Sequence, residues 1–153
     1  MPEFLEVTVD KFKFKVATDR WYTREGVWAL VTDNQARLGL SDFLQQRSGD
    51  IAFAEVKPIG TRLAAGDEFA TIETIKVNVA LSSPLSGQVI EVNPAMETMP
   101  EAINQDPYGA GWLAVLTVSD WDGDRKADGS RLLDPEAYFA VMKTEAEEEA
   151  KKL

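Results

Sequence analysis

Two alternating segments, residues 69–75 and 77–81, meet at a single residue, Lys76. In each, apolar and β-branched side chains fall on every second position, the period of a strand that buries one face. Strands joined at one residue have to fold back on each other, so Lys76 stands at a hairpin tip. The bend has no Gly, Pro or Asn-Gly pair to make it, which is unusual turn chemistry. Gly66 lies upstream, and Pro84-Leu85-Ser86-Gly87 makes the next turn downstream. Most turn lysines are simply solvated ammonium groups. Here the flanking glycines, and Glu73 three positions earlier, mark Lys76 as an attachment point for a prosthetic arm.

The rest of the chain repeats the short-strand pattern. Residues 5–16 alternate through Val7, Val9, Phe12, Phe14 and Val16, with a bend expected near Asp10-Lys11. Further strands are expected over 27–31, 36–40, 51–56, 87–92 and 112–118. Turns fall at Asp33-Asn34, Pro58 to Gly60 and Ala65-Gly66-Asp67. Ser41 suits a helix N-cap and Gly49 the matching stop, around Phe43 and Leu44. Residues 93–104 read as short helical turns broken by Pro94 and Pro100. Asp134 followed by Pro135 opens a closing helix whose apolar face is Tyr138, Val141 and Met142. Past Thr144 the Glu-, Ala- and Lys-rich tail reads as a solvated helical end. Phe69, Ile72, Val89 and Val92 are expected in the core. Such spacing favours a small, mainly β fold, a flattened β-barrel or sandwich with short helices and a C-terminal helix.

At 153 residues the chain suits one domain with a real hydrophobic core, and 44% hydrophobic content makes it globular. The formal charge of −10 repels nucleic acid and anionic membranes, so neither is expected as a partner. No stretch is apolar enough to span a bilayer or to act as a signal peptide, and the cytoplasm is the expected compartment. Cysteine and histidine are both absent, which excludes thiolate or imidazole nucleophiles and their bases, as well as disulfides. A carrier or binding module fits better than an enzyme. Any redox or group-transfer chemistry must then reside in something attached.

Two motifs invite other readings. Asp120, Asp122 and Asp124 alternate like calcium ligands, but Arg125 and Arg131 occupy the positions where an EF-hand needs glycine and glutamate. Gly109-Ala110-Gly111 leads into a strand rather than a helix and reads as a turn, not a dinucleotide fingerprint.

Longer matches occur in collinear order: Trp21-Tyr22-Thr23-Arg24-Glu25, Trp28, Leu38-Gly39-Leu40-Ser41-Asp42, Gly49-Asp50-Ile51-Ala52-Phe53, Glu73-Thr74-Ile75-Lys76, Ser83-Pro84-Leu85-Ser86-Gly87, Glu91-Val92-Asn93, and the run Asn104-Gln105-Asp106-Pro107-Tyr108-Gly109-Ala110-Gly111-Trp112-Leu113. Through them the chain resembles the H-protein of the glycine cleavage system, a lipoyl carrier, from about residue 21 to residue 138. The resemblance implies a lipoyl-domain-like barrel-sandwich hybrid, no catalysis, and lipoic acid covalently bound to Lys76. It implies recognition of Glu73 by a lipoate-attaching enzyme. A biotinyl domain would place methionines where Ile75 and Val77 stand. The implied organisation is an N-terminal strand extension over 1–20 packed on the same domain, a carrier domain over 21–143, and a charged tail over 144–153.

Two departures bear on cargo. H-proteins usually have His-Glu-Trp where this chain has Gly26-Val27-Trp28, and an aspartate where it has Ala80. The family's two acids hold the arm's cationic amine in a cleft, which the resemblance places near Gly26, Val27, Trp28 and Ala80. A desolvated ammonium needs carboxylate partners, and these residues offer none. The chain is also similar to lipoate-binding proteins of sulfur-oxidising, heterodisulfide-reductase-like systems, whose start the segment Phe4-Leu5-Glu6-Val7-Thr8-Val9-Asp10-Lys11-Phe12 fits. The expected function is therefore a lipoyl carrier shuttling an intermediate in sulfur oxidation with a heterodisulfide-reductase-like complex. The alternative is an H-protein carrying the aminomethyl group among glycine cleavage components.

Overall fold

A computed structural model describes residues 3–121 and 132–152. The chain is mainly β. The N-terminal alternation folds as a hairpin of β1 (Phe4–Val9) and β2 (Phe12–Ala17), a two-stranded sheet of its own. Asp10 makes the bend with φ 57°, a left-handed conformation that its short polar side chain tolerates. Next come β3 (Trp21–Tyr22), β4 (Val27–Thr32) and β5 (Gln35–Leu40), with Asp33 at φ 54° in the β4–β5 turn. Helix α1 (Asp42–Ser48) starts where Ser41 Oγ accepts a bond of 3.2 Å from the Leu44 amide, and stops at Gly49.

The chain continues through β6 (Ile51–Val56), β7 (Arg62–Leu63), β8 (Glu68–Thr74), β9 (Asn78–Ser82) and β10 (Gly87–Val92). Two single-turn helices, α2 (Ala95–Thr98) and α3 (Ala102–Gln105), precede β11 (Ala114–Thr117). The closing helix α4 (Pro135–Lys151) is capped by Asp134, whose carboxylate accepts from the Ala137 amide at 2.8 Å.

Among the described residues the strands form a six-stranded sheet ordered β3-β4-β5-β11-β10-β7 and a three-stranded sheet ordered β6-β8-β9, besides the hairpin. The two larger sheets enclose the main core, with Leu38, Phe69, Ile72, Leu81, Val89 and Leu116 all fully buried or nearly so. A second core fills the space between the hairpin, α1 and α4, built on Phe14, Tyr22, Trp28, Phe43, Tyr138 and Met142. Arg20 is buried there without being an orphan. It pairs with Asp19 at 2.7 Å, donates to the Tyr108 carbonyl at 3.0 Å, and lies over the Trp28 ring.

Several elements differ from the sequence expectation. β3 and β7 have two residues each, too few for a period of two to show in the sequence. Val92 is half-buried against the core rather than within it. The boundary expected at residue 143 falls inside α4, which runs on to Lys151 and buries Ala146. A helix stripe of Tyr138, Met142, Ala146 and Ala150 recurs every fourth residue, and its last two members are small enough to hide among glutamates. Of the alternating aspartates, Asp120 lies within the described residues; Asp122, Asp124, Arg125 and Arg131 lie outside them.

Gly39 pairs with Trp28 across β4 and β5, and any Cβ at residue 39 would collide with the indole. The indole cannot swing away without losing its bonds to the Leu40 and Pro107 carbonyls at 2.9 and 3.0 Å. Gly39→Ala is therefore expected to destabilise the fold by roughly 1–3 kcal/mol, the cost of overpacking a core. Denaturant unfolding should show this as a lower midpoint with an unchanged slope.

All three tyrosines, Tyr22, Tyr108 and Tyr138, sit around the second core. Burial pushes the Tyr108 phenol up to about 12 and raises Tyr22 and Tyr138 as well. Unfolded tyrosines ionise near about pH 10, so above that pH the unfolded chain releases protons that the folded chain keeps. This contribution to stability is whole below about pH 10 and is lost as pH rises further. Ultraviolet titration should show no phenolate until the circular dichroism signal collapses, after which the phenols ionise together. A tyrosine ionising near pH 10 in folded protein contradicts this.

Candidate functional site

Thr74 makes the turn that glycine or proline would otherwise make. Its hydroxyl accepts from the amides of Lys76 at 3.2 Å and Val77 at 3.0 Å, and donates to the Val77 carbonyl at 3.2 Å. The Thr74 amide closes the loop onto the same carbonyl at 2.9 Å. A threonine hydroxyl thus substitutes for turn backbone, a local bond this residue type favours. Three residues, Ile75, Lys76 and Val77, connect β8 to β9.

The tip is exposed and unusually apolar. Ile75 is 97% exposed, Val77 44%, and Phe53, opposite Glu73 on the neighbouring strand, 67%. Glu73 is exposed on β8, across from Asn78 on β9. Among the described residues no carboxylate pairs with Lys76 within salt-bridge distance, so its amine is available for acylation.

Lys76 leans back over the end of α1. A methyl group added at Gly49 would stand 3.5 Å from Lys76 Cε, and Gly49 adopts φ 89°. Asn104 braces this corner by donating to the Gly49 carbonyl at 2.9 Å and accepting from the Ile51 amide at 2.9 Å. Beside the lysine a cavity of about 370 Å³ opens between the N-terminal hairpin, α1 and the end of α4. Val9, Phe12, Phe14 and Phe43 supply its apolar wall, and Asp10, Arg47 and Glu149 its charges. Arg47 ties α1 to α4 through Glu149 at 2.6 Å and Glu145 at 3.5 Å.

The residues expected to form the arm's cleft lie elsewhere. Val27 and Trp28 are wholly buried, because their positions in β4 face the two cores. Gly26 packs against Ser41, Leu44 and Tyr138, with φ 104°, and its carbonyl accepts from the Ser41 amide. Ala80 is exposed on β9 opposite Thr71. None of the four lines the cavity beside Lys76. Val27 and Ala80 offer no carboxylate, whereas Asp10 and Glu149 line the cavity beside Lys76. These residues were hidden from sequence reasoning because they come from opposite ends of the chain. The one visible signal was the alanine spacing at 146 and 150.

An exposed lysine with an apolar cavity at its side suits a long, largely apolar acyl arm. When bound, a lipoyl group supplies a reducible disulfide that accepts and releases cargo. The chain contributes a tip braced by Thr74, an exposed lysine and a recess.

The family model for "Glycine cleavage H-protein" matches residues 20–145. The glycine cleavage system H protein of Carboxydothermus hydrogenoformans is 37% identical over 132 residues, covering 86% of this chain and 98% of that protein. A probable glycine cleavage system H protein 1 of Sulfolobus acidocaldarius is 35% identical over 139 residues, covering 91% of this chain and 96% of that protein. The crystal structure of a glycine cleavage system H protein from Mycobacterium marinum superposes with a TM-score of 0.69 at 30% identity, covering 80% of this chain and 95% of that one. The chain belongs to the glycine cleavage H-protein family, non-catalytic carriers that hold lipoate covalently on a lysine.

Proposed function

We propose that Lys76 carries the lipoyl arm and that the protein serves glycine cleavage components as their mobile H-protein. The observation that carries this reading is the Thr74-braced tip, which presents Lys76 to solvent beside a cavity suited to an acyl chain. An arm tethered at such a tip reaches successive partner sites at an effective concentration set by geometry. Glu73, Phe53 and the exposed Ile75 lie around the lysine and form the surface that a lipoate-attaching enzyme reads. The carrier domain extends from the N-terminal hairpin through α4, with residues 144–152 part of it rather than a separate tail.

Charge around the cavity favours a cationic cargo. Before acylation its lining carries Asp10 and Glu149 against Arg47 and Lys76, a balance of zero. An amide at Lys76 removes one positive charge and leaves a negative excess of one. Glu145, also on Arg47, adds to that sign. These groups are partly exposed, so each contributes less than about 1 kcal/mol, enough to bias an arm's resting position but not to lock it.

A second reading, a carrier for sulfur oxidation with a heterodisulfide-reductase-like complex, draws on Val27 and Ala80 at the family's acid positions and on the hairpin ahead of the matched segment. An anionic sulfur cargo would meet the cavity's negative excess.

Incubation with a lipoate-attaching enzyme is expected to add one lipoyl group, and peptide mapping should place it on Lys76. Lys76→Arg should abolish the addition, and Glu73→Ala should slow it about tenfold or more, the scale of losing one charged recognition contact. Lipoylated protein mixed with glycine cleavage components should support glycine-dependent turnover. Silence with components that accept another H-protein would put the sulfur reading first.

A further inference from the structure

Glu55 and Glu73 share the outer face of the three-stranded sheet. Register sets Phe53 opposite Glu73 and Glu55 opposite Thr71, while Ala54 and Ile72, between them, turn to the core. The two carboxylates are thus diagonal neighbours, about 7–8 Å apart. Both are exposed, and among the described residues no cation pairs with either. Lys57, two residues beyond Glu55, pairs with Glu68 at 3.8 Å instead. We propose that this face is a docking recess for an arginine or lysine side chain, set beside an apolar patch, of the enzyme that acylates Lys76. The proposal rests on Lys76 as the attachment point.

Shape, charge and position support it. Phe53, Ala54, Glu55, Thr71 and Glu73 line a recess of about 340 Å³. A guanidinium or ammonium there meets two carboxylates, while its aliphatic stem and its charge meet the ring of Phe53. Phe53 is 67% exposed, an aromatic left in water that a partner's apolar patch would cover. Like charges set side by side with no cation between them give the fold nothing, whereas a partner's cation is held by both. The formal charge of −10 draws a basic partner toward the chain as a whole, and the recess gives that encounter an orientation. Glu73 lies on the strand that leads into the tip, so a cation seated beside it is about 10 Å of extended chain from Lys76. Glu55 and Thr71 extend the surface beyond Glu73 by one rung of the sheet.

Lipoylation of the full-length protein by the attaching enzyme is followed at varied protein concentration, and the adduct is mapped. Glu55→Lys should raise KM about tenfold or more with kcat unchanged, because the contact is made equally before and during acyl transfer. Phe53→Ser should raise KM about fivefold. Thr71→Lys supplies the chain's own cation opposite Glu55, so KM should rise while thermal melts show unchanged or higher stability. A merely structural role would lower stability and KM performance together. Added salt should raise the wild-type KM and move that of Glu55→Lys much less. Glu91→Lys, on β10 of the six-stranded sheet, makes the same change in net charge and should leave KM within about twofold. With the adduct on Lys76, a wild-type KM in Glu55→Lys and Thr71→Lys, or an equal rise in Glu91→Lys, overturns the recess while leaving the carrier reading intact. A lipoyl group mapped away from Lys76 overturns both.

Discussion

One hydrogen-bonded node joins every piece that surrounds the carrier tip. The Ser41 hydroxyl caps α1 through the Leu44 amide and bonds to the Tyr138 hydroxyl of α4 at 2.8 Å. Tyr138 stacks on Tyr22 with centroids 4.5 Å apart and rings nearly parallel, and the Tyr22 hydroxyl donates to the Ala17 carbonyl at the end of the hairpin at 2.6 Å. Gly26 must lack a side chain for this to close, since a Cβ there would stand 2.8 Å from Ser41 Oγ and 3.0 Å from the Tyr138 hydroxyl. Buried hydroxyls of this kind are costly unless paired, so the node specifies one arrangement of hairpin, α1 and α4. The cavity beside Lys76 follows from that arrangement.

Gly26-Val27-Trp28 therefore carries a structural load in this chain. The glycine admits Tyr138, the valine joins the main core, and the tryptophan spans to the Pro107 carbonyl and underlies Arg20. With those positions committed to packing, charge in the cavity beside Lys76 comes in part from elements at the two ends of the chain. Asp10 stands at the hairpin bend and Glu149 near the end of α4. The positions of the family's two acids, Val27 on β4 and Ala80 on β9, therefore do not by themselves set the charge beside Lys76. The surroundings of Lys76 are shared among elements far apart in sequence.

A carrier also needs a tip that does not collapse. Ile75 and Val77 are apolar and exposed, and a hydrophobic turn would bury them against the sheet if the backbone allowed. Thr74 holds the bend with its own hydroxyl, and the lysine stem passes over Gly49, which Asn104 braces at the end of α1. The chain thereby keeps an exposed lysine and its apolar neighbours at the surface without a glycine at the tip.

Local rules reached much of this molecule from sequence alone. Period-two alternation located the hairpins, Ser41 and Gly49 bounded α1, and Asp134-Pro135 opened α4, because strand faces, caps and proline geometry depend on neighbours a few residues away. The same locality placed Lys76 at an exposed tip with Glu73 beside it. Tertiary structure decided what stands next to that tip. Residues 9–14, 43–47 and 146–150 meet there only because the Tyr22–Tyr138–Ser41 node draws both ends of the chain together. No periodicity records such a meeting, since side chains more than a hundred residues apart are brought into contact by packing and by satisfied buried bonds, not by any pattern along the chain.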